Sequence, residues 1–363
     1  MAAAACLAPE MVFADVNIAV IAPKAGEYKK FGDELISGVE TAVNEINDRG
    51  GLAGEKINLI TVDDQCDDRI AVSTAQMMAV SSSRRDKMSL VVGPFCPNAF
   101  GEVSDIYAKA EIFQIIPTTV SRREAQHRHK GLVKMVGYKE RQAHDFFAYY
   151  QKTFPNQKVA LVYDGDMRPV VEVAAALQEE FRKNDQAYNL KAFNFRNYDN
   201  IASLSAEILN SEIKIAYIMG QPEEISQLAR SLKREHKYFA VFTNRYQSDE
   251  TYNRILGDLA EGSYFMALPS LKDNPAFTET LVRLRLLGVE PEGLSVYGYS
   301  AVRLWEELVE QSESFNYEKL AEALKSGKFP AAWGDAAYND GNPEDSLPYG
   351  IYRLYGGEYT QVY

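Results

Sequence analysis

From Val16 onward the chain alternates short β-rich runs with segments of helix length, and this order constrains the fold more than any other feature. Val16 to Ile21, Lys56 to Val62, and the 88–93 and 112–116 runs read as strands. Phe31 to Asn47, Ile70 to Ser82 and Asn98 to Ala110 read as the helices between them. Leu35, Val39, Ala42, Val43 and Ile46 share one face of the first helix, and Arg49-Gly50-Gly51 stops it. Units of this length require a parallel sheet with right-handed crossovers. After a polar, basic stretch (Ser121 to Lys130) a second series begins with the aromatic helix Arg141 to Thr153. Strands follow at Lys158 to Tyr163, Leu190 to Phe195, Ile215 to Gly220 and Tyr238 to Thr243. Helices separate them at Val170 to Asn184, Ile201 to Asn210 and Glu223 to Glu235. A chain of 363 residues exceeds the size of one core, so two α/β domains are expected, joined by strand-like crossovers. Beyond Pro269 come helices at Pro275 to Leu287, Ser295 to Gln311 and Tyr317 to Lys325. A tyrosine-rich end, Tyr338 to Tyr363, reads as hairpins, and this last third packs back onto the two halves.

Two strands of the first series stop on short polar rims: Val91-Val92-Gly93-Pro94-Phe95-Cys96, and Phe113-Gln114-Ile115-Ile116-Pro117-Thr118-Thr119. Open α/β sheets bind small molecules where such carboxyl ends converge, so the pattern predicts a ligand pocket. A net charge of −12 argues against nucleic acid or an anionic membrane as partner, since both need a basic face. No Gly-x-Ser-x-Gly elbow, phosphate loop or His-Glu-x-x-His motif is present. His127 and His129 flank Arg128 at a spacing that would seat a metal in a strand, but the segment reads as an exposed basic loop. Asp63-Asp64 and Asp67-Asp68 lack the glycine and terminal glutamate of a calcium loop and read as helix-start acids. Neither a metal nor a cofactor is expected.

Met1 to Ala14 reads as the remnant of a signal peptide, because Val12-Phe13-Ala14 satisfies the small-residue cleavage rule. The basic start is missing, and an ordinary disordered terminus is the alternative. Cys6 offers a thiol for a lipid anchor, though the residues before it make a poor lipobox. Cys66 and Cys96 each sit just past a strand. Neighbouring parallel strands would bring both to one end of the sheet, close enough to bridge. Export permits a disulfide, and closing a loop of roughly thirty residues contributes about 3–4 kcal/mol in the chain-entropy model. The alternative is two unpaired small side chains, so export and pairing stand or fall together.

The order of pieces resembles the periplasmic leucine/isoleucine/valine-binding proteins and their type I solute-binding relatives. The resemblance runs through Phe31-Gly32-Asp33, Val43-Asn44-Glu45-Ile46-Asn47, Arg49 to Gly54 and Val62 to Asp67. It continues through Gly93 to Cys96, Ser104 to Tyr107, Ile116-Pro117-Thr118, Leu259 to Gly262 and Tyr349 to Arg353. It implies two doubly wound parallel-sheet lobes joined by three crossovers: residues 15–136 with 267–346, and 137–266 with 347–363. It further implies a Cys66–Cys96 disulfide, a solute held between the lobes, closure on the ligand, and delivery to the permease of an ABC importer. The family's pocket maps onto Phe31, Pro97, Asn98, Thr118, Thr119 and Val120 from the first lobe, and Arg168, Gln221, Arg245 and Tyr246 from the second. Where the amino-acid binders carry a serine after the second cysteine, this chain has Pro97. Their later threonine falls at Val120, and the acid that pairs with the ligand's ammonium is absent near Arg245 and Tyr246. A buried carboxylate needs donors and a buried ammonium an acceptor. Within the wider class of small amino acids and related carboxylates, losing the acid and gaining Arg168 and Arg245 therefore favours a small carboxylate, aromatic or dicarboxylic, over a neutral aliphatic amino acid, unless both arginines are solvated surface residues. The rival readings are a ligand sensor of the same fold without a transporter, and an enzyme using Cys96 as nucleophile, which a disulfide would preclude.

Overall fold

A computed structural model describes residues 15–26, 28–81, 88–96, 99–244, 249–269, 271, 275–291, 293–325, 327–331, 333–339, 341–343 and 347–363. The signal-remnant reading of residues 1–14, with Cys6, lies outside the described residues. The chain divides into two compact units, one of residues 1–119, 126–136 and 271–345, the other of 120–125, 137–270 and 346–363.

The first unit is built on β1 (Asp15–Ile21), whose Ile18, Ala19, Val20 and Ile21 are buried. Around it lie β2 (Lys56–Val62), β3 (Met88–Val92), β4 (Phe113–Ile116) and β5 (Leu132–Lys134) in the order β2-β1-β3-β4-β5. Every pairing is parallel. β1 therefore separates the two cysteine-bearing strands, which are not neighbours as the sequence suggests. Strand order depends on where each crossover helix packs, which local hydrophobic patterning does not encode. The crossover helices are α1 (Lys29–Asp48), α2 (Asp68–Ser81) and α3 (Phe100–Lys109).

The second unit opens with α4 (Arg141–Thr153), whose Phe146 packs at 4.9 Å on Tyr217 and 5.0 Å on Phe242 in the core of this unit. β6 (Val159–Tyr163), α5 (Arg168–Lys183), β7 (Leu190–Asn194), α6 (Ile201–Asn210) and β8 (Ile215–Met219) follow. Then come α7 (Pro222–Glu235), β9 (Ala240–Asn244), α8 (Asp249–Leu256) and β10 (Tyr264–Ala267). α7 shows why these segments are helical. Ile225, Leu228, Ala229 and Leu232 recur at three- and four-residue spacing on its buried face, Pro222 begins it, and Glu223 and Glu224 complement its dipole.

The C-terminal third serves both units. α9 (Thr278–Leu286), α10 (Leu294–Ser312) and α11 (Tyr317–Leu324) join the first, with β11 (Lys328–Ala331), β12 (Gly334–Asn339) and β13 (Asn342–Pro343) as an antiparallel set. β14 (Gly350–Tyr355) and β15 (Glu358–Gln361) form a hairpin on the second sheet, whose order is β15-β14-β10-β9-β8-β6-β7. β14 runs antiparallel to β10, and β7 through β10 are parallel.

Among the described residues, the division into units differs from the expected boundaries in two places. Ala267 pairs with Gly350, which carries the end of β10 into the second unit. Residues 120–125 also leave the first unit. The Val120 amide donates to the Gly137 carbonyl at 3.0 Å and the Lys139 amide to that of Val120 at 2.8 Å.

Candidate functional site

Each sheet has one point where successive connections leave in opposite directions, and the carboxyl ends of the strands open a crevice there. In the first unit it lies between β1 and β3, in the second between β6 and β8.

At the first crevice, Gly93 takes a φ of +112°, and a Cβ there would lie 2.6 Å from the Ile21 carbonyl oxygen, so only glycine permits the close turn. The Phe95 amide then donates to that oxygen at 3.2 Å. The Gln114 side chain on β4 donates to the Gly93 carbonyl at 2.9 Å, tying the second predicted rim to the first. Phe95 stacks on Phe31 of the first turn of α1, with centroids 6.3 Å apart and planes 7° apart, and meets Tyr28 at 6.0 Å. Thr118 and Thr119 follow β4, both half-buried. The Cys66–Cys96 disulfide spans β1 to join the rims of β2 and β3. Beside it Asp64 is buried, and burial raises its carboxyl above the ordinary range. Its Oδ1 accepts from the Cys66 amide at 3.2 Å, which holds the turn. Asp63 accepts from the Lys24 and Gln65 amides, and Asp67 from those of Arg69 and Ile70, so these acids are structural.

At the second crevice the Asp164 amide donates to the Met219 carbonyl at 2.9 Å, closing the turn after β6. Gln221 immediately precedes α7, and its side chain reaches Met167 Sδ at 3.5 Å. The two sequence-predicted segments of this unit, Arg168 and Gln221, therefore meet at one rim. Arg168 is half exposed, with Nε 3.4 Å from Glu172 Oε1. Arg196 grips buried Asp164 at 3.2 Å and also pairs with Glu224. Lys139 is buried, its ammonium 3.3 Å from Glu124 and 3.9 Å from Glu172. Each of these three cations faces a carboxylate, so Arg168 adds no uncompensated positive charge to the rim.

Val120 is buried in the second unit and presents backbone bonds rather than a side chain to a rim. Pro97, Asn98, Arg245 and Tyr246 lie outside the described residues. Sequence reasoning placed Phe95 in the first rim without assigning it to the pocket, and missed Tyr28 and Lys139. Phe95 was signalled by its place beside Cys96, whereas an isolated lysine after Gly137-Tyr138 gives no signal. His127 and His129 are not in a strand. Both approach Asp105 Oδ1, at 3.8 and 2.8 Å, and among the described residues no group of three or more His, Cys, Asp or Glu could hold a metal ion. No described helix is long and apolar enough to cross a membrane.

Comparison with known proteins places these crevices in context. The profile described as periplasmic binding protein matches residues 15–354. The Leu/Ile/Val-binding protein BraC3 of Rhizobium johnstonii is 26% identical over 355 residues, covering 96% of this chain and 94% of that protein. The leucine-binding protein LivK of Thermotoga maritima superposes with a TM-score of 0.79 at 20% identity, covering 96% of this chain and 98% of its own. A solute-binding protein of R. palustris in complex with benzoate gives a TM-score of 0.76 at 14% identity, covering 96% and 95%.

Proposed function

Because this chain belongs to the periplasmic binding protein family, whose members bind solutes and catalyse no reaction, we propose that it is an exported receptor for a small amino acid or related carboxylate. In this reading it delivers its ligand to the permease of an ABC importer. The observation that carries the reading is the pair of switch-point crevices, each closed by a backbone bond across the switch: Phe95 to Ile21, and Asp164 to Met219. Crevices of this kind present backbone amides, hydroxyls and aromatic faces, the groups that hold a small zwitterion without chemistry. Phe31 and Phe95 supply an apolar wall, Thr118 and Thr119 supply donors for a carboxylate, and Gln221 and Arg168 contact the ligand from the second unit. The ligand shifts the population of the receptor toward the form the permease accepts.

Relatives bearing a Leu/Ile/Val-binding name support an aliphatic amino acid. A second reading, an aromatic carboxylate without an amino group, draws on the stacked Phe31–Phe95 pair and the benzoate-bound neighbour. Calorimetric titration of residues 15–363 with leucine, isoleucine, valine and benzoate separates the two. Saturable binding of an amino acid, weakened at least tenfold by Gln221→Ala and by Phe31→Ala, supports the first. Binding of benzoate alone, weakened likewise by Arg168→Ala, moves the assignment to the second. Binding to neither class, or binding indifferent to every one of these substitutions, discards the proposed contacts.

A further inference from the structure

The second unit buries the ammonium of Lys139 close to its crevice. A buried charge needs partners that are themselves held in place. The backbone of Lys139 is fixed, its amide donating to the Val120 carbonyl at 2.8 Å. Glu124, 3.3 Å from the ammonium, is fixed as well: its Oε2 accepts from the Ser121 amide at 2.6 Å, and its own amide donates to Ser121 Oγ at 3.1 Å. The second carboxylate is that of Glu172 on α5, and it divides its oxygens. Oε2 lies 3.9 Å from the ammonium, while Oε1 accepts from Arg168 Nε at 3.4 Å. Glu172 is largely buried and Arg168 half exposed, so the contact leads from the buried lysine out to the rim. Glu140 lies within electrostatic reach of Lys139 and Glu172, and its Oε1 accepts from the Arg122 amide at 2.8 Å.

Helix energetics do not account for the Arg168–Glu172 pair. Arg168 opens α5, where the positive end of the helix dipole opposes a cation, and no acid stands in the first turn. An arginine four residues before a glutamate is also the weaker order for such a pair. The position does serve the crevice. Arg168 directly follows Met167, whose Sδ the Gln221 side chain reaches, at the turn that Asp164 closes onto Met219. Among the described residues Glu172 is the one hydrogen-bond partner of the Arg168 side chain, and it takes Nε alone. The two terminal nitrogens are left for the paired bonds by which a guanidinium receives a carboxylate. Because Glu172 balances its charge, Arg168 offers a ligand directed donors rather than unspent charge.

We propose that Glu172 is a positioning residue for the crevice: anchored by Lys139, it orients the Arg168 guanidinium so that its terminal nitrogens receive a carboxylate of the ligand. The assignment rests on the reading of the second crevice given above. Two readouts test it. In the unliganded protein, the Arg168 Nε–H proton resonance is located by its loss in Arg168→Ala. Glu172→Ala and Lys139→Met should each shift that resonance and speed its exchange with water. In calorimetric titrations with leucine and with benzoate, Glu172→Ala should raise the dissociation constant of the probe that binds at least fivefold. Glu172→Gln, whose amide oxygen still accepts from Nε, should stay within twofold of the parent. In an Arg168→Ala background, Glu172→Ala should change nothing further, a result that a merely structural role would not produce. Weakened binding in Arg168→Ala but not in Glu172→Ala, additive losses in the double variant, or an Nε–H resonance indifferent to either substitution would overturn the positioning role and leave the crevice contact standing. Undiminished binding by Arg168→Ala, or binding of neither probe, would instead remove the crevice contact and the assignment with it.

Discussion

At the scale of single residues, the second unit holds one lysine in a costly place. Lys233 is buried on α7, where its ammonium donates to the Glu261 carbonyl at 2.8 Å and to Ser263 Oγ at 3.1 Å. Burial, and secondarily the positive charge of Arg353, lower its pKa from 10.5 to about 8. Below pH 8 both folded and unfolded chains carry the proton, and the folded chain bears the full cost of the buried charge. Between about pH 8 and 10.5 the unfolded state binds more protons, so this group's contribution to stability rises with pH. The gain is about 3 kcal/mol across the window, taking 1.36 kcal/mol per pKa unit. Urea unfolding of the protein and of Lys233→Met at pH 7 and pH 10 isolates the effect, because other titrations cancel in the difference. The variant's stability relative to the parent should fall by about 2–3 kcal/mol on going to pH 10. A difference that stays constant with pH would show that Lys233 keeps an ordinary pKa. Nothing in the 222–235 sequence marks this residue, because Lys233 and Arg234 read equally well as C-terminal helix cations.

At the scale of elements, the long periodic helices were legible, and two short buried strands, β5 and β10, were not. α1 declares itself through Leu35, Val39, Ala42, Val43 and Ile46, and the structure extends it by only two residues at its start and one at its end. β5 has three residues, all buried, and follows a basic loop, so no alternation announces it; β10, four buried residues after Gly262, escapes for the same reason. The 120–125 excursion was equally hidden, since Val120 looks like a continuation of the Thr118-Thr119 rim. Of the candidate site, the rims of β3, β4, β6 and β8 were legible because turn residues punctuate apolar runs. The side chains that meet there depend on helix packing and were legible only in part. Helix packing also explains two glycines that the sequence leaves unremarkable. α1 crosses α10 at backbone contact: a Cβ on Gly38 would lie 1.9 Å from the Ser295 carbonyl oxygen, and one on Gly298 would lie 2.5 Å from that of Leu35. Helix propensity alone favours alanine over glycine by about 1 kcal/mol, but the carbonyls belong to rigid helices and cannot yield. Gly38→Ala should therefore destabilise the protein by about 2–3 kcal/mol in urea unfolding, the cost of overpacking. Glu40→Ala, on the exposed face of the same helix, should stay within about 0.5 kcal/mol. Equal effects from the two substitutions would show that the helices can separate without cost.

At the scale of the whole molecule, each unit has its own sheet and its own core. Ile21, Val91, Val103 and Tyr107 belong to one core, and Val162, Ile218, Leu228 and Val241 to the other. Two cores of this kind melt as separate cooperative steps unless something couples them. Both tryptophans, Trp305 and Trp333, lie in the first unit, so indole fluorescence follows that unit while circular dichroism follows both. A ligand at a hundred times its dissociation constant stabilises whatever it touches by about 2.7 kcal/mol, several degrees in melting temperature. If the solute takes contacts from the crevices of both units, as proposed, saturating ligand should raise the fluorescence midpoint and both dichroism midpoints together. A ligand that raised the fluorescence midpoint and left the second dichroism step in place would be held by the first unit alone. The contacts assigned to Arg168 and Gln221 would then be withdrawn, while the rim formed by Phe31, Phe95, Thr118 and Thr119 would remain.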